Sequence, residues 1–258
     1  MTIGRRIVRL ATTASTMDDA AALAAGGEPE GTVVVAGVQT AGRGRAGRGW
    51  AAPVGTSILC SVLLRPTVAP SRLGTLPLLA GVAVAETVEA VTDRGCQLKW
   101  PNDVLIGSGK VAGVLMAARA DADRVEHAIV GIGLNVNVAP DALPAGAASL
   151  LAATGRGHDL DAVLALLLRR LDAAYRAFIE RGGRPELDGW RRRALYLGEP
   201  VAVRDGERTL RGVMRGVADD GALLLEREDG ALARVVAGDL VRGPVPLTGG
   251  GSRHLARR

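Results

Sequence analysis

Two short segments carry the residues best suited to chemistry in this chain. The first is Gln39-Thr40-Ala41-Gly42-Arg43-Gly44-Arg45-Ala46-Gly47-Arg48-Gly49-Trp50, and the second, about sixty residues on, runs from Lys99 to Gly113. In the first, Arg43 and Arg45 alternate with glycine, which lets backbone amides and guanidinium forks converge on one anion. In the second, a stiff Trp100-Pro101 pair precedes Asn102 and Asp103, an apolar strand, a Gly107-Ser108-Gly109 turn and Lys110. That order puts an amide, a carboxylate and an ammonium on adjacent β elements, as a site for a negatively charged ligand requires. The chemistry implied is the neutralisation of a phosphate-bearing ligand, with the Gly/Arg loop as a flexible lid.

Blander accounts exist for each segment. Residues 42–47 satisfy G-x-G-x-x-G after a strand, but a dinucleotide fingerprint also needs a helix at the third glycine and an acidic residue about 20 positions on. Trp50-Ala51-Ala52-Pro53 and Gly55 interrupt any helix, and no Asp or Glu stands between Gly31 and Ala85. Gly107-Ser108-Gly109-Lys110 likewise lacks the spacing and the Ser/Thr of a P-loop. An RGG-like nucleic-acid segment would be longer and repetitive, and only Trp50 could stack a base. A solvated Gly-rich loop, a hairpin lysine at 110, a turn at Asn102-Asp103, a helix N-cap at Ser15 and a tightly packed strand at Gly131-Ile132-Gly133-Leu134-Asn135 each explain one feature. None explains all of them in this order and spacing.

The elements that must position these groups read as a mixed α+β arrangement. Ser15 opens a helix, with Asp18 in a capping-box-like place, and Gly26-Gly27 end it. Thr32–Val38 and Thr56–Leu64 read as buried strands, and Leu76–Val91 as a buried helix with Pro77 in its first turn. Gln97–Lys99, Val104–Ile106, Val111–Ala118 and Ala128–Asn137 run as strands do. Asp159–Arg181 is an amphipathic helix with Leu160, Val163, Leu167, Leu171, Ala174 and Phe178 on one stripe. From Glu199 to Val241 the turns Asp205-Gly206, Asp220-Gly221, Asp229-Gly230 and Gly238-Asp239 separate short strands, the pattern of a small barrel. The domains expected are 1–192, then an all-β unit at 193–244, then a disordered tail at 245–258.

The 258 residues suffice for one sizeable domain and a small one; 48% are apolar but only six are aromatic, so the core is built from Ala, Val and Leu. The net charge of +5 is uneven: the Gly/Arg segment has no acidic neighbour in sequence, and Arg253, Arg257 and Arg258 make the end basic. Cys60 and Cys96 lack a CxxC or a His cluster, so neither zinc nor a disulfide framework is expected. No apolar core of a signal peptide follows Arg5, Arg6 and Arg9, and the Leu-rich run at 163–168 is too short for a bilayer. A cytoplasmic protein without a membrane partner is the expectation.

The conjunction of Ser15-Thr16, Gln39 with Gly42–Trp50, Lys99-Trp100-Pro101-Asn102-Asp103, Lys110-Val111-Ala112-Gly113 and Gly131–Asn135 resembles the biotin–protein ligase family, over roughly residues 12 to 240. The resemblance implies a catalytic domain of the class II aminoacyl-tRNA synthetase/biotin ligase type followed by an SH3-like barrel. It implies that ATP, with Mg2+ held mainly by its phosphates, activates biotin as biotinyl-5′-AMP, and that a lysine of a biotin carboxyl carrier domain, such as that of acetyl-CoA carboxylase, then takes the acyl group. Cations are needed because a carboxylate meets a triphosphate. By the same resemblance Lys110, Arg45 and Asp103 are catalytic. Ser15, Thr16, Met17, Gln39, Gly42, Arg43, Gly44, Arg45, Lys110 and Gly113 bind biotin, with Ser15, Thr16 and Gln39 on its ureido head. Arg43, Arg45, Arg48, Trp50, Asn102, Lys110 and Asn135 serve the nucleotide, and Asp103 receives the acceptor lysine or positions metal. Met17 departs from the Asn, and Ala117 from the Glu, that the family commonly has.

About a dozen residues precede Ser15, too few for a helix-turn-helix, so no DNA partner is expected. The sequence does not choose between monomer and homodimer. A lipoate–protein ligase is the nearest rival and generally lacks the Gly-Arg-Gly-Arg loop. A nonenzymatic nucleic-acid or ligand binder is the rival from another class; intact Lys110, Asp103 and Arg45 weigh against it.

Overall fold

The longest apolar runs become the inner strands of a seven-stranded sheet in the computed structural model, which describes residues 2–243. Its strands are β1 (Ile7–Thr13), β2 (Val33–Gln39), β3 (Ser57–Leu64), β4 (Cys96–Lys99), β5 (Asp103–Ile106), β6 (Gly109–Ala120) and β7 (Val125–Asn135), in the order β1-β2-β3-β7-β6-β5-β4. β1 runs parallel to β2; every other pair is antiparallel. All eight residues of β3 are buried, as expected of a central strand covered on both faces.

Side chains alternate across a strand, so the two faces can be read from the register. One face carries Val33, Cys60, Val62, Val130, Ile132 and Val114, and packs against α2 (Leu76–Thr92) and α4 (Leu160–Glu180). On the other, α1 (Thr16–Ala25) lays Met17, Ala20 and Ala24 over Val34, Leu63 and Ile129. That short helix covers only part of its face. The remainder, around Gly113 and Gly133, is covered by no helix.

α2 is long and apolar enough, with the turn before it, to cross a membrane, yet most of it is buried against the sheet and α4. α4 is amphipathic, as its stripe predicts, and Asp159 caps it by accepting from the Asp161 and Ala162 amides at 2.8 and 3.2 Å. Asp172, buried within it, accepts from the Thr2 and Ile3 amides at 2.6 and 2.9 Å, which satisfies a carboxylate that would otherwise be costly to bury.

A second, five-stranded antiparallel sheet holds β8 (Pro200–Asp205), β9 (Arg208–Val217), β10 (Leu223–Glu226), β11 (Leu232–Val235) and β12 (Asp239–Arg242). The four turns expected from Asp-Gly or Gly-Asp pairs separate its strands. The two sheets meet along a seam. Trp100, 1% exposed, donates its indole N–H to the Gly221 carbonyl at 3.0 Å. Backbones touch there: a Cβ at Gly74 would lie 2.4 Å from the Asp220 oxygen. The chain entering the second sheet bridges the free edge of β4, through Leu98 N–H to Arg193 O and Leu195 N–H to Leu98 O.

Three elements were not expected from sequence. β1 is an edge strand whose residues are exposed or half-buried, so it shows no apolar run. α3 (Leu150–Thr154) and α5 (Asp188–Arg191) are too short to express a helical period. At Ser15 the capping box does not form: the Ser15 side chain makes no cap bond, and Asp18 turns to Arg43. The tail expected at 245–258 lies outside the described residues.

Gly74→Ala should lower the urea midpoint by an amount equivalent to about 1–3 kcal/mol, since a backbone oxygen has to move to admit the methyl. An unchanged midpoint would mean that the seam between the sheets yields freely.

Candidate functional site

The open part of the sheet is the floor of a cleft of about 460 Å3, walled by the Gly/Arg loop, α1, the Trp100–Asp103 turn and the second sheet. Glycine makes the floor. Gly113 pairs with Gly133, and Leu115 with Gly131, across β6 and β7, so the three glycines share one face. The Trp50 indole lies on two of them: a Cβ at Gly133 would fall 2.4 Å from its Cε2, and one at Gly113 3.1 Å from its Cζ3. Beside it, Lys110 Nζ stands 5.5 Å from the Trp50 ring centroid, a cation–π distance.

The Gly/Arg loop, expected as a flexible lid, is built as a hydrogen-bonded hairpin. Arg43 and Gly49 form an antiparallel bridge, Trp50 N–H donates to Gly42 O at 2.9 Å, and Gly44 N–H donates to Arg48 O at 2.6 Å. Its tip turns through left-handed Ala46 (φ 52°) and Gly47 (φ 73°). Each arginine has an acidic partner. Arg43 Nη2 is 2.7 Å from Asp18 Oδ1, Arg48 Nη2 is 2.8 Å from Asp239 Oδ1, and Arg45 Nη1 is 3.5 Å from the same oxygen. Arg45 also donates to Gly238 O at 3.0 Å. Burial lowers the Arg45 value, whereas the bond to Asp239 raises that of Arg48. That bond in turn holds the Asp239 carboxyl below its ordinary range.

The second motif forms the opposite wall. Asn102 fastens its turn to β6, donating Nδ2 to Val114 O at 2.9 Å and accepting the Val114 amide at 2.9 Å on its own carbonyl. Asp103 and Lys110 stand on paired strands, and Lys110 Nζ lies 2.6 Å from Asp103 Oδ1, a close ion pair whose angle is not that of a hydrogen bond. Lys110 is held from behind as well: its amide donates to Gly146 O at 2.8 Å, and its carbonyl accepts from Ala148 N–H at 2.9 Å.

At the α1 end the groups are polar and uncharged. Gln39 Oε1 accepts from the Thr16 amide and hydroxyl at 2.8 and 3.0 Å, and the Thr16 hydroxyl lies 2.8 Å from that of Ser61. Ser15 Oγ is buried in the cleft lining and has no hydrogen-bond partner among the described residues; neither has Trp50 Nε1. Met17 packs its sulfur on Gly131, where a Cβ would lie 2.9 Å away.

The structure therefore brings Ser15, Thr16, Met17, Gln39, Arg43, Gly44, Arg45, Arg48, Trp50, Asn102, Asp103, Lys110 and Gly113 to one cleft. Gly42 closes the base of the hairpin just behind it. Asn135 is not in the lining: its Nδ2 donates to Ala148 O at 3.0 Å, so it braces the segment that pins Lys110. Ala117 is exposed on β6, away from the cleft. Sequence reasoning missed Ser61, Arg204 and Asp239, and named Lys99 within its motif without giving it a role. A serine inside the apolar run Ile58–Leu64 is a usable signal for the first; Arg204 and Asp239 come from the second sheet and carry no local signal. Cys60 borders the cleft, but burial pushes its thiol up to about 12, so it stays protonated.

The chain matches the Biotin/lipoate A/B protein ligase family over residues 11–135 and the Biotin protein ligase C terminal domain over residues 196–243. The bifunctional ligase/repressor BirA of Bacillus spizizenii is 37% identical over 93% of this chain and 75% of its own length. The biotin–[acetyl-CoA-carboxylase] ligase of Mycobacterium tuberculosis is 38% identical over 92% of this chain and 89% of its own. Among solved structures, the biotin protein ligase of Aquifex aeolicus in complex with biotin and ATP is similar with a TM-score of 0.75 at 33% identity, covering 92% of this chain and 98% of that one.

Asp239→Asn should raise the rate of tryptic cleavage after Arg45 and Arg48 several-fold at pH 7, because a partly exposed ion pair anchors the hairpin. An unchanged rate would assign the anchoring to the hairpin's own backbone bonds. A depressed carboxyl stabilises above its unfolded value and loses that contribution as pH falls through the folded one. The difference between wild type and variant in melting temperature should thus be full above the ordinary aspartate range and fade as pH falls below it.

Proposed function

This chain belongs to the biotin–protein ligase family, and we propose that its cleft joins biotin, through biotinyl-5′-AMP made from ATP, to a lysine of a biotin carboxyl carrier domain. It is an enzyme of ATP-dependent biotin–protein ligation; the carrier and the role of each residue are our reading. One observation carries that reading. The cleft is uncharged and polar where Ser15, Thr16 and Gln39 stand, at the start of α1, and cationic where Arg45, Arg48 and Lys110 line it, with Arg43 held to Asp18 of α1. Biotin has the same polarity, a neutral ureido head and a carboxylate.

On this reading the carboxylate of biotin points to Lys110, which exchanges Asp103 for it. A carboxylate oxygen attacks the α-phosphorus of ATP, and the bond to the oxygen bridging to the β-phosphorus breaks, sending its electron pair to pyrophosphate. Lys110, Arg43, Arg45 and Arg48 offset the charge on both reactants and on the bridging oxygens. Trp50, already seated on the glycine floor, packs against the ligand and excludes water from the anhydride. Asn102 steadies the turn that carries Asp103. Asp103, released by Lys110, then orients the acceptor lysine, whose nitrogen attacks the biotinyl carbonyl carbon and expels AMP.

Among the described residues no three His, Cys, Asp or Glu side chains converge to hold a metal, and Asp103 and Asp239 are both paired with cations. Mg2+ enters this scheme on the phosphates of ATP, as part of that substrate. The match of residues 196–243 to a domain named for biotin protein ligases favours biotin over lipoate. We place the reaction in the cytoplasm.

The direct test is ATP–pyrophosphate exchange without a carrier, run in parallel with biotin and with lipoate. Exchange should require biotin, and exchange with lipoate alone would overturn the substrate. Lys110→Ala should lower the exchange rate at least a hundredfold with an unchanged circular dichroism spectrum, the scale of one lost charge-stabilising group. Full activity would remove Lys110 from the mechanism. Arg45→Gly should release biotinyl-5′-AMP into solution, read as biotin on bystander lysines. Retention of the adenylate as tight as in the parent would show that the hairpin does not close on it.

A further inference from the structure

A second hollow lies on the helical side of the large sheet and has no lining residue in common with the cleft. It is a groove of about 430 Å3 beside the contact of α2 with α4, with Gly189 of α5 on its third side. Leu79, Val82, Ala83 and Glu86 recur at helical spacing on α2, as do Leu166, Arg170, Ala173, Ala177 and Arg181 on α4. Each helix therefore turns one stripe to the groove. Alanines at 173, 174 and 177 keep it empty, since longer side chains there would fill it.

Charge is distributed unevenly along the groove. At one end Arg170 Nη1 is 3.1 Å from Glu86 Oε2, and just beyond it Arg193 Nη2 is 2.6 Å from Glu89 Oε2. Gly189 lies against Val82 and Arg193 pairs with Glu89, which sets Arg192 at that same end. Arg169 and Arg192 line the groove and have no ion-pair partner among the described residues. The Arg170 guanidinium is bonded to Glu86 through Nη1, while its buried Nε has no acceptor among those residues. The other end holds a matched pair, Arg181 Nη1 at 2.6 Å from Glu186 Oε2. Between the ends lie Leu79, Val82, Ala83 and Phe178.

Charge excludes two occupants. The chain after residue 243 carries Arg253, Arg257 and Arg258 and no Asp or Glu, so it has the sign of the rim. A second copy seated symmetrically would set the same arginines against each other. A ligand with one anionic head and an apolar tail matches the groove at both ends. The distance along α4 from Arg170 to Phe178 is about 12 Å at 1.5 Å per residue, the reach of a medium-length alkyl chain. The volume is in the range of small-molecule sites.

We propose that this groove binds a medium-chain carboxylate. Its head meets Arg169, Arg170 and Arg192, whose planar forks suit carboxylate oxygens. Its chain lies over Val82, Ala83 and Phe178, where each methylene leaves water. The site stands apart from the adenylating cleft, so it holds whether or not the ligase reading does.

The test is calorimetric titration of the full-length protein with decanoate below its micelle concentration, in saturating biotin so that the cationic cleft is not the receptor. Binding should be one to one, and hexanoate should bind more weakly. Arg169→Gln combined with Arg192→Gln should weaken decanoate about tenfold, a difference that shrinks as salt is raised. Ala174→Leu should weaken it about tenfold by filling the groove, with an unchanged circular dichroism spectrum because helices accept leucine. Biotin-dependent exchange should be the same in all three proteins. Equal decanoate affinity in wild type and Ala174→Leu overturns the proposal, since the ligand then sits elsewhere. Decyltrimethylammonium binding as tightly as decanoate also overturns it and reduces the groove to an apolar surface. A dimer in sedimentation velocity that Ala174→Leu dissociates, with decanoate affinity unchanged, assigns the groove to a second copy instead.

Discussion

The cleft depends on one electrostatic constraint: cations needed for an anionic reaction must be held close together before any anion arrives. Four of them would repel one another on a bare surface. Here Asp18, Asp103 and Asp239 each hold one or two of those cations at 2.6–3.5 Å. These pairs are partly exposed, and such pairs contribute only about 0–1 kcal/mol. Pairs of that strength hold the guanidinium and ammonium groups near their carboxylates without committing them against an arriving anion.

The placement of those pairs follows from backbone more than from side chains. Gly113 and Gly133 let the Trp50 indole lie flat on the sheet, which fixes the end of the hairpin that presents the arginines. α1 is too short to cover its whole face, and the uncovered glycines become a floor rather than a core. On the far face α2 and α4 bury the same strands with Leu, Val and Ala, so the floor rests on a packed aliphatic core.

The second sheet completes the cleft through the seam at Trp100, Gly74 and Gly221. Contact there is backbone to backbone, which leaves little room for sliding. Asp239 and Gly238 meet the hairpin because that seam fixes where β12 points, and Arg204 shares their side of the sheet edge by cross-strand pairing. One wall of the cleft is therefore built from residues almost two hundred positions away from the loop they touch.

Much of the arrangement is legible in the chain itself, for identifiable reasons. Buried strands such as β3 and the amphipathic α4 announce themselves by apolar runs and period, and Asp-Gly pairs mark the hairpins of the second sheet. The Gly/Arg and Lys-Trp-Pro-Asn-Asp segments are local, so their cleft residues could be named in advance, and nearly all of them line it. β1, α3 and α5 stayed hidden because an edge strand and one-turn helices bury too little to leave a pattern. The state of the Gly/Arg loop was hidden too, since glycines permit a flexible lid as readily as a closed hairpin. By itself the sequence determined most of the elements, the family and the cationic character of the site, all of which reside in short-range pattern. Tertiary structure alone decided which carboxylate meets which arginine, that Asn135 braces rather than lines the cleft, and that Arg204 and Asp239 belong to it, because those pairings depend on how two sheets dock and no local spacing encodes that.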